Sequence, residues 1–289
     1  MARLGYCGLG VMGAPMARHL AAAGHDVAVY NRTGAKALEW VAANGGRAFP
    51  TPAEVAAGSE VVFLCVGNDD DVRGVMLGDG GILDGAHEGL IVVDHTTTSA
   101  ELAMDMAKSC EAHGVVFIDA PVSGGQAGAE NGVLTVMCGA DDEQAFASVS
   151  GMIDAYSRSC VRLGRVGSGQ LAKMVNQICI AGLVQALSEG VAFAQNAGLD
   201  AHAVIDFISK GAAQSWQMEN RAHTMIDGKF DFGFAVEWMV KDLTYAIAEA
   251  RTNGSQVPVT EQVLAYYRDL MDAGRSRDDT SSLVTRLPR

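Results

Sequence analysis

In the run Gly169-Gln170-Leu171-Ala172-Lys173-Met174-Val175-Asn176-Gln177 a lysine and an asparagine stand three positions apart. A helix would therefore present Lys173 and Asn176 on one face. The stretch from Leu171 to Ala194 is apolar nearly all round, interrupted by Lys173, Asn176, Gln185 and Glu189. Those interruptions argue against a membrane span and for a buried helix. An ammonium held there loses hydration, which lowers its pKa from about 10.4 toward neutrality and suits a group that exchanges a proton in every turnover. The other course open to such a lysine is to extend its head to solvent along an apolar stem. Spacing alone does not choose between them.

A second constellation lies at the amino terminus, where Gly8-Leu9-Gly10-Val11-Met12-Gly13 follows an apolar run from Leu4 and opens a helical pattern ending near Ala23. In that context the G-x-G-x-x-G predicts a dinucleotide cradle. The first glycine permits the tight turn, the second lets the backbone approach a pyrophosphate, and the third lets the helix pack on the strand. The diphosphate would rest on the positive end of that helix. The next strand, Val27-Ala28-Val29-Tyr30, ends in Asn31-Arg32-Thr33. No carboxylate stands there to accept from a ribose 2′-hydroxyl, and Arg32 offers a planar fork to a 2′-phosphate, with Asn31 and Thr33 as neutral partners. The turn therefore favours NADP over NAD; its bland reading is an ordinary polar turn.

The elements that must position these groups come in two kinds. Up to about residue 163, short β-rich runs alternate with helical patterns: Val61–Val66, Leu90–Val93, Val115–Ile118 and Leu134–Met137. This predicts an α/β, mostly parallel, doubly wound sheet. After Gly164 the strand signals stop, and helices are predicted over roughly 168–196, 201–209, 215–226, 234–252 and 257–272. We read residues 1–163 as a Rossmann domain and 164–289 as an all-helical substrate and oligomerisation domain. Ligands of open α/β sheets bind beyond the carboxyl ends of the strands. Those ends here are Val66-Gly67-Asn68, Asp94-His95-Thr96-Thr97-Thr98 and Asp119-Ala120-Pro121-Val122-Ser123-Gly124-Gly125. Ser123, Gly124 and Gly125 combine a hydroxyl with amides that can turn toward a small carboxylate, or they form a plain glycine turn.

Taken in order, Gly8 to Ala17, Asp119 to Gly125, Gly169 to Asn176 and Lys241-Asp242-Leu243 span nearly the whole chain. With these segments the sequence resembles the β-hydroxyacid dehydrogenase family, which includes 3-hydroxyisobutyrate dehydrogenases, tartronate semialdehyde reductases and glyoxylate/succinic semialdehyde reductases. The resemblance implies hydride transfer between a nicotinamide and the carbon bearing a β-hydroxyl. It implies Lys173 as the catalytic lysine, Asn176 as the substrate-orienting asparagine, and Ser123, Gly124 and Gly125 as the carboxylate loop. Thr97 is implied near both nicotinamide and substrate, with Val66, Gly67 and Asn68 beside the cofactor. Phe234, Lys241 and Asp242 are implied to close the cleft from the helical domain, Lys241 toward the cofactor. One departure is that Asp94-His95-Thr96-Thr97 stands where the family reads Asp-x-Ser-Thr, so a methyl is added where Thr96 keeps the hydroxyl. Imine reduction is an alternative on this scaffold, but relatives with that activity replace the lysine. A non-catalytic NADP-binding regulator is a further alternative, and Lys173 weighs against it too. Decarboxylating 6-phosphogluconate dehydrogenase is discounted, because its helical domain far exceeds the roughly 125 residues available here.

The whole chain bounds the rest. With 289 residues and 49% hydrophobic composition it can bury a substantial core, and a net charge of −13 argues against nucleic-acid and anionic-membrane partners. The histidines, read as mostly surface or helix-end residues, show no metal-binding spacing, so no metal is expected. Cys7, Cys65, Cys110, Cys138, Cys160 and Cys179 fall mostly in apolar segments without C-x-x-C spacing and are read as buried thiols. The first strand begins within a few residues of Met1, leaving no room for a leader, so a cytoplasmic location is expected. The apolar helix and the apolar residues after it suggest a homodimer or homotetramer.

Overall fold

Residues apolar on both faces make the central strands: β1 (Arg3–Cys7) carries Leu4 and Tyr6 toward one side and Cys7 toward the other. It is followed by α1 (Gly13–Ala22), β2 (Asp26–Tyr30), α2 (Gly34–Asn44), β3 (Arg47–Ala48), α3 (Pro52–Ala57), β4 (Val61–Leu64), α4 (Asp69–Leu77), β5 (Ile91–Asp94), α5 (Ala100–Glu111) and β6 (Val116–Asp119). Then come β7 (Val122–Ser123), α6 (Gly125–Glu130), β8 (Leu134–Ala140), α7 (Glu143–Ile153) and β9 (Ser157–Gly164). The chain ends in α8 (Ser168–Asn196), α9 (Ala201–Ile208), α10 (Trp216–Ile226), α11 (Val236–Asn253), α12 (Pro258–Asp272) and a 3-10 turn over Thr280–Arg286. The computed structural model describes residues 1–288. Its first compact unit runs from Met1 to Lys173 and its second begins at Met174.

The sheet of the first unit has the order β3-β2-β1-β4-β5-β6-β8-β7, with β9 also paired to β8. Strands β1 to β6 pair in parallel, β8 runs antiparallel to β6 and β7, and β9 is parallel to β8. One face packs under α1, α2, α6 and α7 through Met16, Leu20, Trp40 and Val149. The other packs under α3, α4 and α5 through Val55, Met76, Leu102 and Met106. Helices on both faces explain why the strand runs are continuously apolar rather than alternating. The short strands β3 and β7 and the half-exposed β9 carry too little apolar pattern to be read from sequence.

In the second unit α11 and α12 pack around Met239, Leu243, Val263 and Tyr267. A second cluster joins α9 and α10 through Ile205, Met218 and Met225. The helix predicted from Ser168 is α8, but it is not buried all round: Leu171, Val175, Leu183 and Phe193 are exposed. By length and composition α8 could cross a membrane, and half of its most apolar window is buried within the protein.

Candidate active site

The turn after β1 is built as the fingerprint requires. Gly8 has φ 98°, and a Cβ there would lie 2.3 Å from the Cys65 carbonyl oxygen. A Cβ on Gly13 would lie 2.0 Å from the Gly8 carbonyl oxygen, so neither position tolerates a side chain. At Gly10, by contrast, a Cβ meets nothing within 4 Å, and the residue is exposed. The open face at the second glycine is where a pyrophosphate would approach, and α1 begins without a side-chain cap on its amides. The arrangement fits a dinucleotide. Asn31 serves the cradle from below, its Oδ1 accepting from the Leu9 amide at 2.9 Å while its Nδ2 donates to the Thr33 carbonyl at 3.0 Å. Arg32 is largely exposed and its Nη1 lies 3.3 Å from Asp71 Oδ1 in the first turn of α4. Val11, exposed, and Met12, half-buried, complete the loop.

Beyond β4 the Val66 amide donates to Thr96 Oγ1 at 3.0 Å, and Asn68 Oδ1 caps α4 by accepting from the Asp71 amide at 2.9 Å. Gly67 lies between them. The Thr96 hydroxyl is buried and ties β4 to β5, so the extra methyl belongs to the interior. Thr97 next to it is half-buried. His95 is an exception to the reading of the histidines as mostly surface or helix-end residues. It is fully buried, its Nδ1–H donates to the Ala120 carbonyl at 2.6 Å, and its Nε2 accepts from the Tyr156 hydroxyl at 2.8 Å. Burial depresses its pKa to about 4, so it serves as a neutral structural link between β5, β6 and the start of β9.

Lys173 lies in the second turn of α8 and is 7% exposed, which excludes the solvent-reaching alternative. Two side chains seat the helix that carries it. Asp119, at the carboxyl end of β6, accepts from the amides of Gly167 (2.8 Å) and Gln170 (2.9 Å), capping α8 from another element. Burial pushes its carboxyl up to about 6, with the amide bonds pulling the other way. Gln170 Oε1 accepts from the Thr98 amide at 3.0 Å and its Nε2 donates to the Thr96 carbonyl at 2.8 Å, fastening the helix to the loop after β5. This close seating needs a bare backbone at Gly139 and Gly169, where a Cβ would fall 2.3 Å from Asp119 Oδ1 and 2.4 Å from the Met137 carbonyl oxygen.

Ser123 is half-buried and ends β7, followed by Gly124 at φ 131° and Gly125 at φ 61°, which starts α6. The loop therefore requires glycine at Gly124 rather than merely allowing it. In the second unit Asn176 Nδ2 donates to Gln177 Oε1 at 2.8 Å, and Gln177 Nε2 donates to Asp242 Oδ2 at 2.7 Å. Asp242 is buried and pairs with Lys241 at 3.3 Å, and the Lys241 ammonium lies 5.9 Å from the Trp238 ring centre and 5.5 Å from that of Tyr245. The Phe234 amide donates to Asp279 Oδ2 at 2.9 Å. Trp216 opens α10, half exposed, with the Arg221 guanidinium 4.9 Å from its ring centre. Asp119, Gln170, Gln177 and Asp279 were missed as positioning residues. The available signal was a carboxylate at the end of an apolar strand, and a glutamine four residues after Lys173 on the same helical face.

Comparison with known proteins accords with this geometry. Residues 3–164 match the family described as the NAD binding domain of 6-phosphogluconate dehydrogenase, and residues 167–287 match NAD-binding of NADP-dependent 3-hydroxyisobutyrate dehydrogenase. The chain is 58% identical over 289 residues to an uncharacterized oxidoreductase of Shewanella frigidimarina, covering 100% of this chain and 99% of that one. It is 32% identical over 285 residues to 2-hydroxy-3-oxopropionate reductase of Escherichia coli, covering 99% and 97%. The 3-hydroxyisobutyrate dehydrogenase of Mycobacterium tuberculosis, solved with L-serine, superposes with a TM-score of 0.90 at 27% identity over 100% of both chains. Fold and cradle together define an oxidoreductase of the nicotinamide-dependent class. More narrowly, the chain belongs to the 3-hydroxyisobutyrate dehydrogenase family of β-hydroxyacid dehydrogenases.

Proposed function

We propose that this protein transfers a hydride between NADP(H) and a small β-hydroxyacid or semialdehyde acid, of the 3-hydroxyisobutyrate, tartronate semialdehyde or succinic semialdehyde type. The observation that carries the proposal is the seating of Lys173: a buried amine one turn into a helix that Asp119 and Gln170 fasten to the carboxyl edge of β5 and β6. That is the edge at which α/β sheets bind ligands. The nicotinamide, when bound, supplies the hydride in reduction and accepts it in oxidation. Lys173 holds the proton that goes to the carbonyl oxygen in reduction and takes it back in oxidation, and its positive charge stabilises the developing alkoxide. Asn176 orients the same oxygen. Ser123, Gly124 and Gly125 hold the carboxylate, which fixes the carbon that reacts. Thr97 lies between substrate and cofactor; Phe234 and Asp242 are assigned to the substrate and Lys241 to the cofactor.

The cofactor is NADP, with Gly8, Leu9, Gly10, Val11, Met12 and Gly13 around the diphosphate, Val66, Gly67 and Asn68 beside it, and Asn31, Arg32 and Thr33 at the 2′-phosphate. Support for the last assignment comes from the exposed Arg32 fork and the absence of a carboxylate among these three residues. The exposed apolar residues Leu171, Val175, Leu183 and Phe193 of α8 support self-association as a dimer or tetramer. Loss of NADPH absorbance with a panel of small semialdehyde acids, repeated with NADH, tests substrate class and cofactor together. Arg32→Ala should weaken NADPH about 10- to 100-fold, as expected for losing charge-assisted hydrogen bonds. NADH use should be almost unaffected. Equal weakening of both cofactors refutes the 2′-phosphate role.

A further inference from the structure

Away from the proposed catalytic groups, β8 and β9 bring two thiols together. The Cys138 and Cys160 sulfurs lie 3.6 Å apart. The parallel register pairs Val136 with Cys160 and Cys138 with Arg162, so the two cysteines are diagonal neighbours on one face of the sheet. They differ in access, since Cys138 is buried and Cys160 half-buried. They differ in acidity as well: the hydrogen bond shared with Cys138 holds the Cys160 thiol below its usual range, while that bond and burial push Cys138 upward. A half-buried cysteine held toward its thiolate and backed by a buried one is the arrangement of a peroxide-sensing pair.

We propose that Cys138 and Cys160 form a dithiol/disulfide couple that responds to hydroperoxides and acts on the cap of α8, with Cys160 as nucleophile and Cys138 as resolving thiol. The Cys160 thiolate attacks one peroxide oxygen, the O–O bond breaks, and the departing hydroxide takes up a proton to become water. Cys160 is left as a sulfenic acid. Cys138 then attacks the Cys160 sulfur, its proton leaves with the sulfenic oxygen as a second water, and the S–S bond forms. Two thiols are oxidised and one peroxide is reduced.

The link to α8 follows from distance. A disulfide needs its sulfurs about 2.05 Å apart and its Cα atoms within about 7 Å. With strands about 4.8 Å apart and a rise of about 3.3 Å per residue, diagonal neighbours have Cα atoms about 8 Å apart, so closure draws β8 and β9 together. The ladder yields where it is already irregular, at the register shift between Cys138 and Gly139. Gly139 is the residue packed against the Asp119 carboxylate and the Ser168 amide. Oxidation therefore loosens the bonds from Asp119 to Gly167 and Gln170, and the strained bond is readily reduced again.

The test treats the folded protein with a few equivalents of hydrogen peroxide, blocks free thiols under denaturing conditions and maps peptides without reduction. A Cys138–Cys160 cross-link that dithiothreitol removes is expected. In Cys138→Ser the oxidation should stop at a dimedone-trapped sulfenic acid on Cys160, and Cys160→Ser should leave Cys138 unreacted. Hydrogen exchange at the Gly167 and Gln170 amides should quicken about tenfold or more in the oxidised protein. Both thiols remaining free to alkylation, or a Cys160 sulfenic acid persisting in the wild type, overturns the couple. A cross-link that leaves those two amides unchanged overturns its action on α8. Neither measurement depends on the substrate or on the role of Lys173.

Discussion

Replacing Asp119 by Asn is the sharpest probe of how α8 is held. The carboxyl titrates at about 6 in the fold against 3.8 in the unfolded chain, so the folded state binds the proton more tightly and stability falls as pH rises between those values. Linkage makes ionisation cost the fold about 3 kcal/mol near a pH of about 7.5 and about 1.6 kcal/mol near a pH of about 5. Asp119→Asn removes this dependence. It also turns an amide donor toward one of the two backbone amides now accepted by carboxylate oxygens, at about 1–3 kcal/mol. Near a pH of about 7.5 the two effects nearly cancel. Near a pH of about 5 the variant should fall behind the wild type by about a further 1.4 kcal/mol, since the penalty it escapes has shrunk. His95 is common to both proteins and drops out of the difference. Urea unfolding at the two pH values measures this directly. In the NADPH assay kcat should drop about tenfold or more, because Lys173 follows the cap by one turn, while KM for NADPH holds. Stability differences that do not change with pH, together with wild-type kcat, would refute the reasoning.

Other consequences are as direct. Lys173→Ala should lower turnover by roughly 10²-fold or more with melting temperature and NADPH affinity retained, and near-normal turnover removes it as the proton carrier. Gly10→Ala should melt like the wild type, because its Cβ meets no protein atom, yet weaken NADPH binding about tenfold or more in a fluorescence titration. Gly13→Ala should lower the melting temperature as well, since its Cβ collides with the Gly8 carbonyl; equal behaviour of the two variants contradicts the cradle geometry. His95 titrates at about 4 in the fold and 6.5 when unfolded, so the unfolded chain takes the proton first as pH falls. That withdraws up to about 3 kcal/mol of stability between those two values. In His95→Asn this acid loss should shrink, and an unchanged acid limb in denaturant titrations counts against it. Tyr156→Phe leaves buried Nε2 without its donor and should cost about 1–3 kcal/mol at neutral pH.

Much of this was written locally. Continuous apolar runs flanked by turns gave β1, β2, β4, β5, β6 and β8, and the glycine fingerprint gave the cradle, because strand, turn and helix there are consecutive in sequence. The helices of the second unit were legible to within a residue or two for the same reason. The short strands β3 and β7 carried no readable period. The all-round apolarity of α8 misled, since apolar composition does not say which face is covered.

Residue types and spacing alone determined that this chain has a dinucleotide cradle, an α/β half and a helical half, and a lysine and an asparagine on one face of an apolar helix. Only the tertiary structure decided that Lys173 is buried, that Asp119 and Gln170 seat its helix, that the Thr96 hydroxyl and His95 are interior ties, and that Cys138 faces Cys160. The reason is physical. Backbone geometry and side-chain period act over a few neighbours and leave their mark in local sequence, whereas a hydrogen bond between residues 51 positions apart exists only once strands and helices have closed on one another.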